Sequence, residues 1–268
     1  MVRNRLASCV TEVARWCASR RLQPNADTTE GSWFGSKANL AKLKSTDCTL
    51  PVGSEMIEPL TTIRNLGVLL DSNLTMKQHV NKLAAACYCQ LWRLRQIRRR
   101  VGTKVMTQLV LALVTCRLDY CNSALASLPQ STVEPLQRVQ TRMIFNLGRH
   151  EHVTPCLIQL HWLPVRFRIT YKVCILMYNI RAGKCPHNLH DIMQPTVARV
   201  TRFGLRSASD TTSYVTPRLR TKFGERVFSF SGPAAWDSLP ADLRTVSDIT
   251  DFKNKLKSHL FKLTFDIQ

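Results

Sequence analysis

Residues 75–101 read TMKQHVNKLAAACYCQLWRLRQIRRRV, with apolar side chains at Met76, Val80, Leu83, Cys87, Leu91 and Leu94. Steps of three and four predict one long amphipathic helix with a buried stripe, broken at Gly102-Thr103. Between Trp92 and Lys104 lie the cations Arg93, Arg95, Arg98, Arg99 and Arg100, and no acid. At about 100° per residue, Lys82, Arg93 and Arg100 project on one face, away from the Leu83/Leu94 stripe, while Arg98 falls beside the stripe. A helix with a buried seam and a cationic back suits contact with a nucleic-acid backbone. A solvated face whose cations gather at a helix C-terminus would carry the same residues. The candidate nucleic-acid contacts are Lys82, Arg93, Arg95, Arg99, Arg100 and Lys104.

Upstream, Leu6, Val10, Val13, Trp16 and Cys17 predict a helix over 5–21, followed by a turn at Pro24-Asn25-Ala26-Asp27. A β region follows, with strands expected at 31–35, 48–52 and, best formed, 63–70. Downstream, Val105, Leu109, Ala112 and Leu113 suggest the inner face of a helix over 104–117. A short helix stops near Leu128-Pro129, and Ser131-Thr132 caps another running to about 148. A brief helix spans 153–162. The next, 164–182, is apolar nearly all round from Val173 to Tyr178 and ends at Gly183, which makes it the core of the C-terminal half. Residues 194–220 read as an irregular basic loop, and 222–229 as a strand; the cations Arg199, Arg202, Arg206, Arg218, Arg220 and Lys222 there add to the nucleic-acid case. Gly232 begins a short helix, and Asp248 caps the last one, with Ile249, Phe252, Leu256, Leu260 and Leu263 as its stripe. The expected class is α+β, mostly α. A small N-terminal β element (1–73) precedes a helical region (74–150) and a second helical region (151–268).

The 268 residues hold 38 Lys and Arg against 18 Asp and Glu, a net charge of +20, so a polyanion is the natural partner. With 44% hydrophobic residues the chain can build a packed core. The longest apolar run, Leu109–Val114, is too short to span a membrane, and no signal-peptide core follows the basic N-terminus. Ten scattered cysteines without a C-x-x-C pair fit free thiols in an intracellular, reducing compartment, cytoplasm or nucleus. Two His/Cys clusters, His150-x-His152 with Cys156 and Cys185 to His190, lack a zinc spacing and read as loop and helix-start residues. No two acidic residues are adjacent, and Asp248 with Asp251 read as a helix cap rather than as a metal pair. No phosphate-cradling or nucleophile-elbow glycine motif occurs. Neither catalytic residues nor a cofactor are expected from these patterns.

Several strings resemble the reverse transcriptase of LINE-like (non-LTR, jockey-type) retrotransposons. Residues 13–30, VARWCASRRLQPNADTTE, look like the family's palm helix and its N-x-D-K-T-E turn. Residues 63–71, IRNLGVLLD, with His79-Val80, look like the passage from palm to thumb. Arg117-Leu118-Asp119-Tyr120-Cys121-Asn122, His161-Trp162-Leu163-Pro164-Val165, Trp236-Asp237-Ser238-Leu239-Pro240 and the closing Phe252-Lys253…Leu256-Lys257 match recurrent strings in order. The resemblance implies a C-terminal fragment: the end of the palm, a helical thumb and a downstream region. It implies grip on an RNA/DNA template–primer with little sequence preference. The family's fingers, endonuclease and F/Y-x-D-D site for Mg²⁺ have no counterpart in this sequence, and Thr28 stands where the family has lysine. The chain alone is therefore expected to be inactive. The other reading is a non-enzymatic basic interaction protein, a domesticated element product or decayed gene model that binds a protein partner.

Overall fold

A computed structural model of the chain describes residues 2–25, 28–43, 48–52, 55–139, 154–193, 195 and 213–266. The class is α+β and mostly α, with two two-stranded antiparallel sheets among the described residues. The chain divides into two units, Met1–His79 and Val80–Gln268.

In the first unit, helix α1 (Val2–Ser19) meets β1 (Leu50–Val52), where Arg3 Nε donates to the Thr49 carbonyl at 2.8 Å. The stripe expected to be buried on α1 is largely open: Leu6, Val13 and Trp16 are exposed. Helix α2 (Lys37–Leu43) has no counterpart in the sequence reading, although Ser36 Oγ accepts from Asn39 N at 3.3 Å and caps it. Strand β1 pairs with β2 (Glu55–Ile57), and β3 (Thr62–Asn65) pairs with β4 (Val68–Asp71).

Two strand expectations are corrected here. Residues 31–35 form no strand; Gly31 makes a single bridge to Pro59. The single strand expected over 63–70 is a hairpin, turning at Leu66 (φ 46°) and Gly67 (φ 85°). A tight hairpin turn with positive φ at both central residues normally takes Asn, Asp or Gly first. Leucine in that place hides the turn from the sequence. Glu30 Oε2 accepts from Arg64 N at 3.1 Å, joining the 13–30 string to β3. The Asp71 carboxylate accepts from Thr75 N and Met76 N at 2.9 and 2.7 Å, and so anchors the approach to the next helix.

That helix, α3 (Lys77–Ile97), runs from the first unit into the second and ends in a 3₁₀ turn, Arg98–Arg100. Its Val80, Cys87, Leu91 and Leu94 are buried, as their spacing requires. Helix α4 (Thr103–Val110) continues through a π-helical turn, Leu111–Thr115, into α5 (Cys116–Asp119). The buried face here is Met106, Val110, Val114 and Leu118, whereas the expected inner residues Val105, Ala112 and Leu113 are exposed. A π turn carries more residues than an α turn, so residues four apart share a face and the phase drifts from the 3.6 period.

Helix α6 (Gln130–Gln137) starts directly after Pro129, so Ser131 and Thr132 occupy its first turn and do not cap it. Its expected extension to 148 runs into 140–153, outside the described residues. After α7 (Thr154–Gln159) comes α8 (Val165–Arg181), the centre of the second unit. Gln137 Oε1 accepts from Val165 N at 2.6 Å, satisfying one of α8's free N-terminal donors. Gly183, at φ 65°, ends α8: Gly183 N and Lys184 N return to the carbonyls of Ile180 and Asn179.

After α9 (His187–Ile192), the chain packs α10 (Phe228–Asp237) and α12 (Ile249–Phe265) against α8, with α11 (Ala241–Arg244) between them in sequence. Trp236 and Phe252 are fully buried, and Tyr178 stacks on Phe252 with centroids 4.5 Å apart. Gly232 allows the approach of α10 to α8, since a Cβ there would lie 2.8 Å from Met177 Sδ. The strand expected over 222–229 is instead a 3₁₀ turn, Gly224–Arg226, leading into α10, which begins before Gly232. The alternating Val227, Phe228 and Phe230 read as β, and Gly232-Pro233 read as a helix start; burial against α8 overrides both propensities. Asp248 does cap α12, accepting from Asp251 N at 2.8 Å. Leu263, expected in the buried stripe, is exposed.

Candidate nucleic-acid interface

On α3, Lys82, Arg93 and Arg95 are exposed, as are Arg99 and Arg100 in the following 3₁₀ turn and Lys104 in the first turn of α4. Lys82 and Arg93 stand eleven residues apart within α3 and share one face. Arg100 lies beyond the last α-helical turn, so the 100° step that aligned it with them does not apply there. Arg98 is half-buried, in keeping with its place beside the apolar stripe. Among the described residues none of the six candidate cations is held in an ion pair. The reason is compositional: from Ser72 through Leu118 the chain has nine cations and no acid.

The sequence reading missed two side chains on this surface. Tyr88 is 43% exposed and Trp92 64% exposed, one helical turn apart, and Arg95 continues their stripe three residues on. Their stripe lies roughly a third of a turn around α3 from Lys82 and Arg93. The signal was available, since both aromatics fall off the Val80–Leu94 stripe of the helix. Exposed aromatics between guanidinium groups offer flat faces for base stacking beside phosphate-binding charge.

The basic loop cations Arg199, Arg202 and Arg206 lie outside the described residues; Arg218 and Arg220 are exposed. Thr28 is exposed, with Oγ1 on the Asn25 carbonyl at 3.4 Å. His150 and His152 also lie outside the described residues, and His187 and His190 are exposed on α9. Among the described residues no three His, Cys, Asp or Glu side chains gather as metal ligands. Asp248 serves as a cap and Asp251 pairs with Lys255 at 2.8 Å, so these carboxylates do not fit a Mg²⁺ site. Nine of the ten cysteines, all but Cys156, are described as free thiols. Burial pushes the Cys87 thiol up to about 11, with Arg117 pulling it down and Cys116 adding to the rise, and pushes Cys174 up to about 12.

No helix among the described residues is long and apolar enough to cross a membrane. What fold and surface define together is a basic, mostly helical α+β protein with an acid-free, aromatic-bearing helical stretch from α3 into α4. Comparison with protein-family models, with curated proteins and with solved structures finds no match.

Proposed function

We propose that this chain is a nucleic-acid grip, corresponding to the thumb-bearing end of a LINE-like reverse transcriptase, which holds an RNA/DNA template–primer and performs no chemistry by itself. The observation that carries the reading is the stretch from α3 through the 3₁₀ turn into α4: six exposed cations, none of them in an ion pair among the described residues, and not a single acid. Lysine and arginine on phosphates release counterions and read no base edge, so binding is salt-sensitive and sequence-tolerant. Tyr88 and Trp92 add stacking surface, which is equally indifferent to sequence. In the parent polymerase Mg²⁺ would drive the transfer; among the described residues no three His, Cys, Asp or Glu side chains gather to hold it.

A second reading, a basic interaction protein, draws on α1, whose Leu6, Val13 and Trp16 are exposed. Binding of an RNA–DNA hybrid at increasing salt separates the two. The grip predicts affinity that falls steeply with salt, and undetectable binding at low salt contradicts it. Primer extension on an RNA template with Mg²⁺ tests the inactivity, which template-dependent incorporation by the pure chain would contradict.

A further inference from the structure

A cleft of about 370 Å³ opens in the second unit, with no α3 residue in its lining. Three of the short strings line it: Asp119 from the first, His161 and Trp162 from the second and Lys257 from the last, together with Arg168 and Lys172 of α8. Its one acid is already engaged. Arg168 Nε donates to Asp119 Oδ1 at 2.8 Å, Arg168 Nη2 to Oδ2, and Asn122 Nδ2 also reaches Oδ1 at 3.3 Å. The pair cancels its own charge. Lys172 and Lys257 are exposed, and among the described residues neither meets a carboxylate. The wall beside them is aromatic: Trp162 and Tyr171 are half-buried.

The rim is fixed in place. His161 takes a left-handed backbone, φ 51°, at the end of α7, where glycine is usual. His161 N returns to the Ile158 carbonyl, Trp162 N returns to that of Leu157, and the imidazole lies 5.5 Å from the Phe261 ring. A preformed concavity in the size range of small-ligand sites, with two uncompensated ammonium groups and an aromatic wall, matches one chemistry: a phosphate joined to a flat ring.

We propose that this cleft binds a phosphorylated nucleoside, its phosphate held by Lys172 and Lys257 and its base placed against Trp162. The site does not depend on the α3 reading. The source is either a free nucleotide or one unit of a nucleic-acid strand.

The test uses the full chain and the fluorescent nucleotide mant-ATP, with inorganic tripolyphosphate as a probe of the phosphate half alone. K172A/K257A replaces only exposed side chains and is expected to leave the fold intact, which circular dichroism checks. It is expected to weaken both probes at least tenfold. W162L is expected to weaken mant-ATP about tenfold and to leave tripolyphosphate unchanged. K37A/K77A, which removes two exposed lysines of the first unit, is expected to leave mant-ATP binding unchanged. The proposal is overturned if the wild-type chain does not bind mant-ATP, if K172A/K257A binds it as well as wild type does, or if K37A/K77A weakens it equally, which would mean diffuse attraction to a cationic protein. An oligo(dT) strand that displaces mant-ATP and loses affinity in K172A/K257A identifies a strand unit as the occupant; mant-ATP binding that the strand does not displace identifies a free nucleotide. Both results support the site.

Discussion

The Arg168 guanidinium forks onto the Asp119 carboxylate, Nε to Oδ1 at 2.8 Å and Nη2 to Oδ2, joining α8 to the end of α5. Both side chains are largely shielded from solvent. Lysine cannot form two parallel bonds, so Arg168→Lys should keep the charge and lose the fork. The expected cost is about 1–3 kcal/mol of stability, read as a lower urea midpoint. An unchanged midpoint would mean that the pair does not tie these helices.

The β3–β4 turn places Leu66 at φ 46° with its side chain exposed. Asparagine tolerates that backbone far better, so Leu66→Asn should stabilise the hairpin by about 1 kcal/mol. Slower amide exchange at Asn65 and Val68, the pair that closes the turn, would report the gain. Faster exchange would contradict the turn assignment.

Burial lowers the pKa of His79, whose Nδ1 accepts from Leu69 N at 3.4 Å. The unfolded chain therefore takes up a proton near the ordinary value of 6.5 while the folded ring resists it. Below that value the unfolded state binds more protons, so this contribution to stability is complete above it and is lost as pH falls through the folded value. Thermal unfolding from pH 8 to pH 5 should show wild type losing more stability than His79→Asn, whose Oδ1 can accept the same bond without titrating. Equal losses would refute the link.

Cys87 and Cys174, pushed to about 11 and 12, hold almost no thiolate at pH 8. Brief iodoacetamide treatment of the folded chain should label the exposed Cys9, Cys89 and Cys121 and spare those two. Mass mapping that finds Cys174 labelled as early as Cys89 would contradict the packing of α8.

Legibility followed the strength of the local signal. Helices α3 and α12 repeat one apolar period for four turns or more and could be read directly, α12 with its Asp248 cap. The short α2 carries only a serine cap, and α10 holds Gly232 and Pro233, so tertiary burial decides it. The π turn at Leu111–Thr115 shifts the buried face in a way that no fixed period anticipates. For the site, the cations were plain because charge is a matter of composition. Tyr88 and Trp92 were passed over because aromatics in a helix are usually core. The Asp119–Arg168 fork joins residues 49 positions apart, which no local pattern reveals.

The central claim, that the α3 face grips nucleic acid, is tested most directly by the salt slope of RNA–DNA hybrid binding in wild type and in K82A/R93A/R100A. The account predicts a steep slope for wild type. In the variant it predicts weaker binding of every sequence and a slope reduced by up to about three, one for each phosphate that a missing cation no longer neutralises, with folding stability nearly unchanged. An unchanged slope in a folded variant would contradict it.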